Sequence, residues 1–339
     1  MKNVSCGLAG LTASGGFVLM LFLSASNCGG GSPLVSRDAA WKMEHPKPRR
    51  AFAERRRAVN GAAKGKRVVL AVAPNGGRRT KTDHPALPLT PGELAGAAAE
   101  CLEKGASMIH LHVRDSEGRH TLDPEAYRGA TARIYEAVGD KLVVQITSES
   151  LGRYTAEEQM TAVLETNPEA VSLALREFAP DKAAEPDFGE FLVRLKIMRI
   201  WPQIILYSTD EAVRLEGMRR QGLIPFGSVA VLYVLGRFAL SQSSTPRGVL
   251  PFLASDKPRF EHWSVCAFGR REAACVVAAA LLGGNARVGF ENNILLPDGA
   301  LANSNADLVG AVARALDAVG METETAEGLR EEIARAMAK

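Results

Sequence analysis

TPGELAGAAAECLEKGASMIHLHV, residues 90–113, contains both halves of the unit from which the fold is read. Thr90 can cap a helix, Pro91 fits its first turn, and small and apolar residues follow as far as Gly105, which can adopt the backbone conformation that ends a helix. The pattern then changes to a short β-rich run, SMIHLHV (107–113). A helix joined so closely to a strand is the αβ half of a parallel crossover unit.

The same alternation continues on both sides. Strands are expected in RVVLAVA (67–73), LVVQITS (142–148), AVSLALR (170–176), QIILYS (203–208), within IPFGSVAVLYV (224–234), HWSVCAF (262–268) and ARVGFE (286–291), making eight with the quoted one. Eight parallel strands alternating with helices predict an α/β fold, a (β/α)8 TIM barrel. An open doubly wound sheet would show the same alternation, but the PNGG turn after the first strand lacks a dinucleotide fingerprint and no Walker sequence is present.

The chain is divided into an N-terminal apolar segment with a basic linker, residues 1–66, expected to be disordered or non-native, and a catalytic barrel with C-terminal helices, residues 67–339. The stretch 47–67 carries much of the net charge of +3 but has too few aromatic residues for base stacking, so no nucleic-acid partner is expected. The five cysteines form no CxxC pair, which excludes a zinc knuckle and fits a reducing compartment. FVLMLFLSAS (17–26) reads either as an export signal or as an extension upstream of a functional start such as Met43; it is short for a membrane span.

The two histidines of the quoted strand need an explanation. Residues two apart on a strand share a face, so His110 and His112 project together near the C-terminal end, where barrel active sites form. A metal site accounts for that spacing better than two independent core histidines do. Glu291, read as the end of the eighth strand, can meet them, because strands one, two and eight adjoin in a closed barrel. Two histidines and a glutamate with an open coordination position fit a catalytic zinc ion acting as a Lewis acid.

The segments LAVAPNGG (70–77), HPALPLTPGELA (84–95), GASMIHLHVRDSEGRH (105–120) and GGNARVGFENN (283–293) resemble the β-keto acid cleavage enzymes, over roughly residues 67–320. The resemblance implies zinc held by His110, His112 and Glu291, a homo-oligomer, by that resemblance a tetramer, and an exchange in which a β-keto acid and acetyl-CoA give acetoacetate and a new acyl-CoA. It places Arg287 at the family's catalytic arginine and Thr147 and Ser148 where hydroxyls meet the substrate carboxylate, with Ser172 a weaker case. Two positions depart from the pattern: Asn292 stands where an acidic partner of the arginine is found, and Arg78 where a glutamate can grip a substrate amino group. The expected substrate is therefore anionic rather than amino-bearing. A cytoplasmic location follows from the need for acetyl-CoA. The rival readings are a metal-dependent barrel hydrolase or aldolase that needs no CoA, and a binding protein that has kept its metal and lost catalysis.

Overall fold

The structure is a computed structural model that describes residues 67–239 and 243–338. The expectations for residues 1–66 lie outside the described residues. Eight parallel strands close into a barrel: β1 (Leu70–Val72), β2 (Met108–Leu111), β5 (Val143–Thr147), β6 (Ala170–Ala174), β7 (Trp201–Leu206), β8 (Ala230–Leu235), β9 (His262–Ala267) and β10 (Asn285–Val288). Closure is made by β1, which pairs with β2 on one side and β10 on the other. A small antiparallel hairpin, β3 (Val113–Arg114) with β4 (His120–Thr121), stands directly above β2.

The helices are α1 (Pro91–Glu103), α2 (Pro124–Val138), α3 (Ala156–Thr166), α4 (Leu175–Phe178), α5 (Glu185–Met198), α6 (Thr209–Arg220), α7 (Glu272–Leu281), α8 (Asn305–Ala318) and α9 (Ala326–Ala338). Helix α1 starts as its sequence demands: Thr90 Oγ1 accepts from Glu93 N, Glu93 Oε2 accepts from Thr90 N, and Pro91 occupies the first turn. After β8 the expected crossover helix is a 3-10 segment, Pro246–Leu253, because Pro251 lacks an N–H and would clash with the carbonyl four residues earlier in an α-helix. Among the described residues no helix is long and apolar enough to cross a membrane.

Packing inside the barrel differs between its two ends. At the N-terminal end Val69, Ala71, Met108, Val143, Ala170, Trp201 and Ala230 pack with Ala326 and Leu329 of α9, so that end is closed by apolar contact. Above this plug the inward side chains turn polar. Gln145, Gln203 and Ser264, from β5, β7 and β9, lie buried in a connected row, with Gln145 Nε2 to Gln203 Oε1 at 3.3 Å and Gln203 Nε2 to Ser264 Oγ at 3.4 Å. Buried amides are retained at little cost when they satisfy one another. This row is the floor of the site.

Candidate active site

His110 lies on β2 and His112 just beyond its end, both 1% exposed. Their Nε2 atoms stand 3.5 and 3.4 Å from the same oxygen, Glu291 Oε2. His110 Nδ1 lies 2.9 Å from Gln145 Oε1, so the polar floor orients its ring and leaves Nε2 facing the mouth. For His112 the backbone is fixed instead: Asn75 Nδ2 donates to its carbonyl at 2.9 Å and its own N–H donates to Asn75 Oδ1 at 3.3 Å.

The structure corrects the expected position of Glu291. The strand ends at Val288, and Glu291 sits in the turn that follows, so strand alternation does not account for its direction. Gly289, at φ +137°, turns the chain, and Glu291 N then donates to Ala73 O at 3.1 Å. Three further bonds hold the turn. Glu272 Oε1 accepts from Gly289 N, Glu272 Oε2 from Asn293 Nδ2, and Asn305 Oδ1 from Phe290 N. Asn305 Nδ2 also donates to Pro74 O, which ties this turn to the loop after β1.

Charge is distributed in a consistent way. Burial, with the Arg287 guanidinium, lowers His110 to about 4, and burial lowers His112 to about 3, so both imidazoles are neutral with lone pairs to offer. Burial alone would raise Glu291, but the Arg287 guanidinium holds it well below the usual carboxylate range. Arg287 Nη2 donates to Glu291 Oε1 at 2.8 Å and to Cys266 Sγ, its neighbour in the β9–β10 register, at 3.3 Å. Against the cost of burial, Cys266 and Glu291 raise the arginine, while burial pushes the Cys266 thiol up to about 11.

The three side chains form a donor set suited to a metal ion. Ligand atoms of His110, His112 and Glu291 all lie within 4.8 Å of one another. Both ring nitrogens of His112 and Glu291 Oε2 are buried without a hydrogen-bond partner among the described residues. Of these, His112 Nε2 and Glu291 Oε2 face each other 3.4 Å apart, and such unpartnered buried atoms fit a cation.

The remaining sequence-predicted residues fall in different places. The pocket above the trio is lined by Thr147, Ser172 and Arg287, and by Glu149, Tyr207, Arg237 and Phe268, which sequence reading missed. Ser172 Oγ is buried and unpartnered, whereas Thr147 Oγ1 accepts from Glu149 N at 3.0 Å. Ser148 is committed elsewhere, donating to Ser172 O at 2.7 Å. Asn292 is 1% exposed, and neither of its amide atoms has a partner among the described residues; it does not line this pocket. Arg78 is exposed on the rim of an outer cleft of about 250 Å³ that it shares with Arg79, Asp83, Glu149, Arg237 and Glu291. Arg114 does not face the pocket: its guanidinium binds the carbonyls of Gly76, Gly77 and Arg79. A signal for the missed floor was present, since Gln145 and Gln203 interrupt otherwise apolar runs in strands buried on both faces.

Fold and site together define the class: a (β/α)8 barrel with a three-residue group at its C-terminal mouth able to hold a metal ion. The chain belongs to the beta-keto acid cleavage enzyme family, whose sequence model matches residues 67–334. It is 28% identical over 274 residues to a 3-keto-5-aminohexanoate cleavage enzyme of Fusobacterium nucleatum, covering 78% of this chain and 97% of the relative. It is also 28% identical over 265 residues to a 3-oxoadipate:acetyl-CoA acetyltransferase of Cupriavidus necator, covering 76% and 91%. Among solved structures, ObcA in ternary complex with a C4-CoA adduct and oxalate matches with a TM-score of 0.56 at 17% identity, over 74% of this chain and 68% of that one, a likeness of fold.

Proposed function

We propose that the protein is a zinc-dependent β-keto acid cleavage enzyme that converts a β-keto acid and acetyl-CoA into acetoacetate and a new acyl-CoA. The observation that carries this reading is the convergence of two neutral imidazoles and one ionised carboxylate on a single point at the barrel mouth, in a chain of this family. The names of the relatives support it, since they pair keto acids with acetyl-CoA.

The chain's own residues would divide the work. His110, His112 and Glu291 would hold the ion, which when bound supplies a Lewis acid for charge that appears on the substrate ketone oxygen. Arg287, paired with Glu291 through Nη2, keeps Nε and Nη1 without partners at the pocket wall, placing donors where an oxyanion forms. Ser172 and Thr147 offer hydroxyls to the substrate carboxylate from adjacent strands, at paired register positions. Phe268 and Tyr207 cover the same pocket and keep water from the reacting atoms. Arg78, Arg79 and Arg237 make the outer cleft a seat for an anionic tail.

The reaction places the enzyme where acetyl-CoA is available, in the cytoplasm. A homo-oligomer is part of the same reading; Val193 and Ile197, one turn apart on α5, are 45% and 75% exposed and suit a subunit contact. The test is metal analysis combined with turnover. Purified protein should carry about one zinc per chain, and His110→Ala or His112→Ala should remove that zinc and abolish acyl-CoA formation while circular dichroism stays that of the parent. Full zinc retention in both variants would mean that the ion is held elsewhere.

A further inference from the structure

Two carboxylates wall the inner pocket, and their commitments differ. Glu291 binds Arg287 through Oε1 and faces both histidines through Oε2. Glu149, on the loop after β5, borders both the inner pocket and the outer cleft. Its Oε1 accepts from Arg237 Nη2 at 3.0 Å, and among the described residues no hydrogen bond is made to its Oε2. The loop is held rigidly at that point: Glu149 N donates to Thr147 Oγ1 at 3.0 Å, and its carbonyl accepts from His120 Nε2 at 2.8 Å.

The exchange proposed above requires a group that removes a proton from the carbon between ketone and carboxylate. Asn292 cannot do so, because an amide has no basic lone pair at neutral pH. His110, His112 and Glu291 are assigned to the ion, and the arginines of the pocket are permanently charged. Glu177 is occupied with Ser150 N and Gln159 Nε2. Resting on that reading of the reaction, we propose that Glu149 is the proton acceptor, taking the C2 proton of the β-keto acid and returning it to the acetoacetate enolate.

The step balances. The C2–H bond breaks, its electron pair becomes the enolate double bond with negative charge on the ketone oxygen, and the proton forms a new O–H at Glu149 Oε2. Attack of that enolate on acetyl-CoA expels CoA thiolate, the thiolate attacks the original ketone carbon, and carbon–carbon cleavage releases acyl-CoA and the acetoacetate enolate. That enolate takes the proton back from Glu149, so no proton is gained or lost over the cycle. Arg237 stays beside Oε1 throughout and holds the carboxyl in one orientation. Burial first, then the charge on Glu291, and to a lesser extent that on Glu177, raise Glu149 to about 7 against the opposing pull of Arg237 and Arg78. Burial, the largest of these causes and independent of the ion, moves the carboxyl towards the strength suited to proton transfer near neutral pH.

The competing account is that Glu149 only positions Arg237. Solvent-deuterium uptake at C2, followed by proton NMR above the uncatalysed rate and without acetyl-CoA, separates the two for a panel of anionic and neutral β-keto acids. Glu149→Gln should keep the parent's zinc content and melting temperature at neutral pH to within a few degrees, and lose exchange by about 100- to 10,000-fold. Glu149→Ala should lose it likewise and regain part of it with added formate, a rescue that a purely structural carboxylate would not give. Exchange in Glu149→Gln within threefold of the parent, or absence of formate rescue in Glu149→Ala, overturns the assignment. If the parent exchanges no β-keto acid of the panel, the proposed reaction itself fails and the base assignment falls with it.

Discussion

Replacing Gly289 by alanine tests the link between the barrel wall and the metal-ligand turn. A Cβ there would lie 2.3 Å from Ala73 O and 2.8 Å from Ala73 C, both backbone atoms of the loop after β1. Ordinary contact begins near 3.4 Å, so the turn and that loop must part by about 1.1 Å. No flexible side chain can absorb the shift. The φ of +137° belongs to a region that side-chain-bearing residues avoid, which adds about 1–3 kcal/mol of strain to an overpacking cost of similar size. The sum, roughly 2–6 kcal/mol, corresponds to a fall in melting temperature of about 5–20 °C for a domain of this size. Glu291 lies two residues beyond Gly289, and a ligand moved by nearly 1 Å exceeds the ~0.2 Å tolerance of a zinc site several times over. Zinc affinity should therefore fall by at least about 10- to 100-fold. Thermal unfolding by circular dichroism and competition titration with a zinc chelator give the two readouts. Gly96→Ala serves as the control, because Gly96 is exposed inside α1 with no heavy atom within 4 Å of the added carbon, and it should gain about 0.5–1 kcal/mol. A Gly289→Ala protein with the parent's melting temperature and zinc affinity would refute the account of how the turn is held.

Arg287→Ala should retain zinc but lower turnover by about two to four orders of magnitude, the scale of an oxyanion contact, when assayed by acyl-CoA formation. Arg78→Glu should reverse the ranking of anionic over cationic β-keto acids; an unchanged ranking would show that Arg78 does not meet the substrate tail. Glu149 is raised from 4.5 unfolded to about 7 folded, so the folded state binds the extra proton between those values. That contribution to stability is complete below about 4.5 and is lost as pH rises through about 7. In metal-free protein, Glu149→Gln should accordingly melt above the parent at pH 8, with the gap closing as pH falls towards 5; a gap independent of pH would contradict the buried, proton-retaining carboxyl.

Most of the barrel was legible because periodicity and strand count depend on local composition. The eight apolar runs correspond to the eight barrel strands, with ends displaced by a few residues. The HxH spacing placed two imidazoles together because alternation in a strand is a strong geometric rule. Glu291 was placed beside them by a strand argument that does not hold, since what brings it there is the turn at Gly289 and the buried carboxyl of Glu272. Such a turn is set by distant partners that a linear reading does not connect. Glu149 and Arg237 were missed for a similar reason: they are 88 residues apart and meet only because β5 and β8 open onto the same mouth. Arg114, beside the histidines in sequence, has its guanidinium on the loop after β1 instead.

That arginine has a consequence for how such an enzyme can change its diet. Arg114 grips the loop after β1 by three main-chain carbonyls, Asn305 holds a fourth at Pro74, and Asn75 within the loop bonds the backbone of His112, so the path of the loop is set without reference to the side chain of Arg78. Arg78, which points from this stretch into the outer cleft, can therefore be exchanged for a residue of other charge while the scaffold beneath it stays put. If Arg78 meets the substrate tail as proposed, selectivity becomes an interchangeable fitting on a fixed mount, open to change by single substitutions that leave the loop in place.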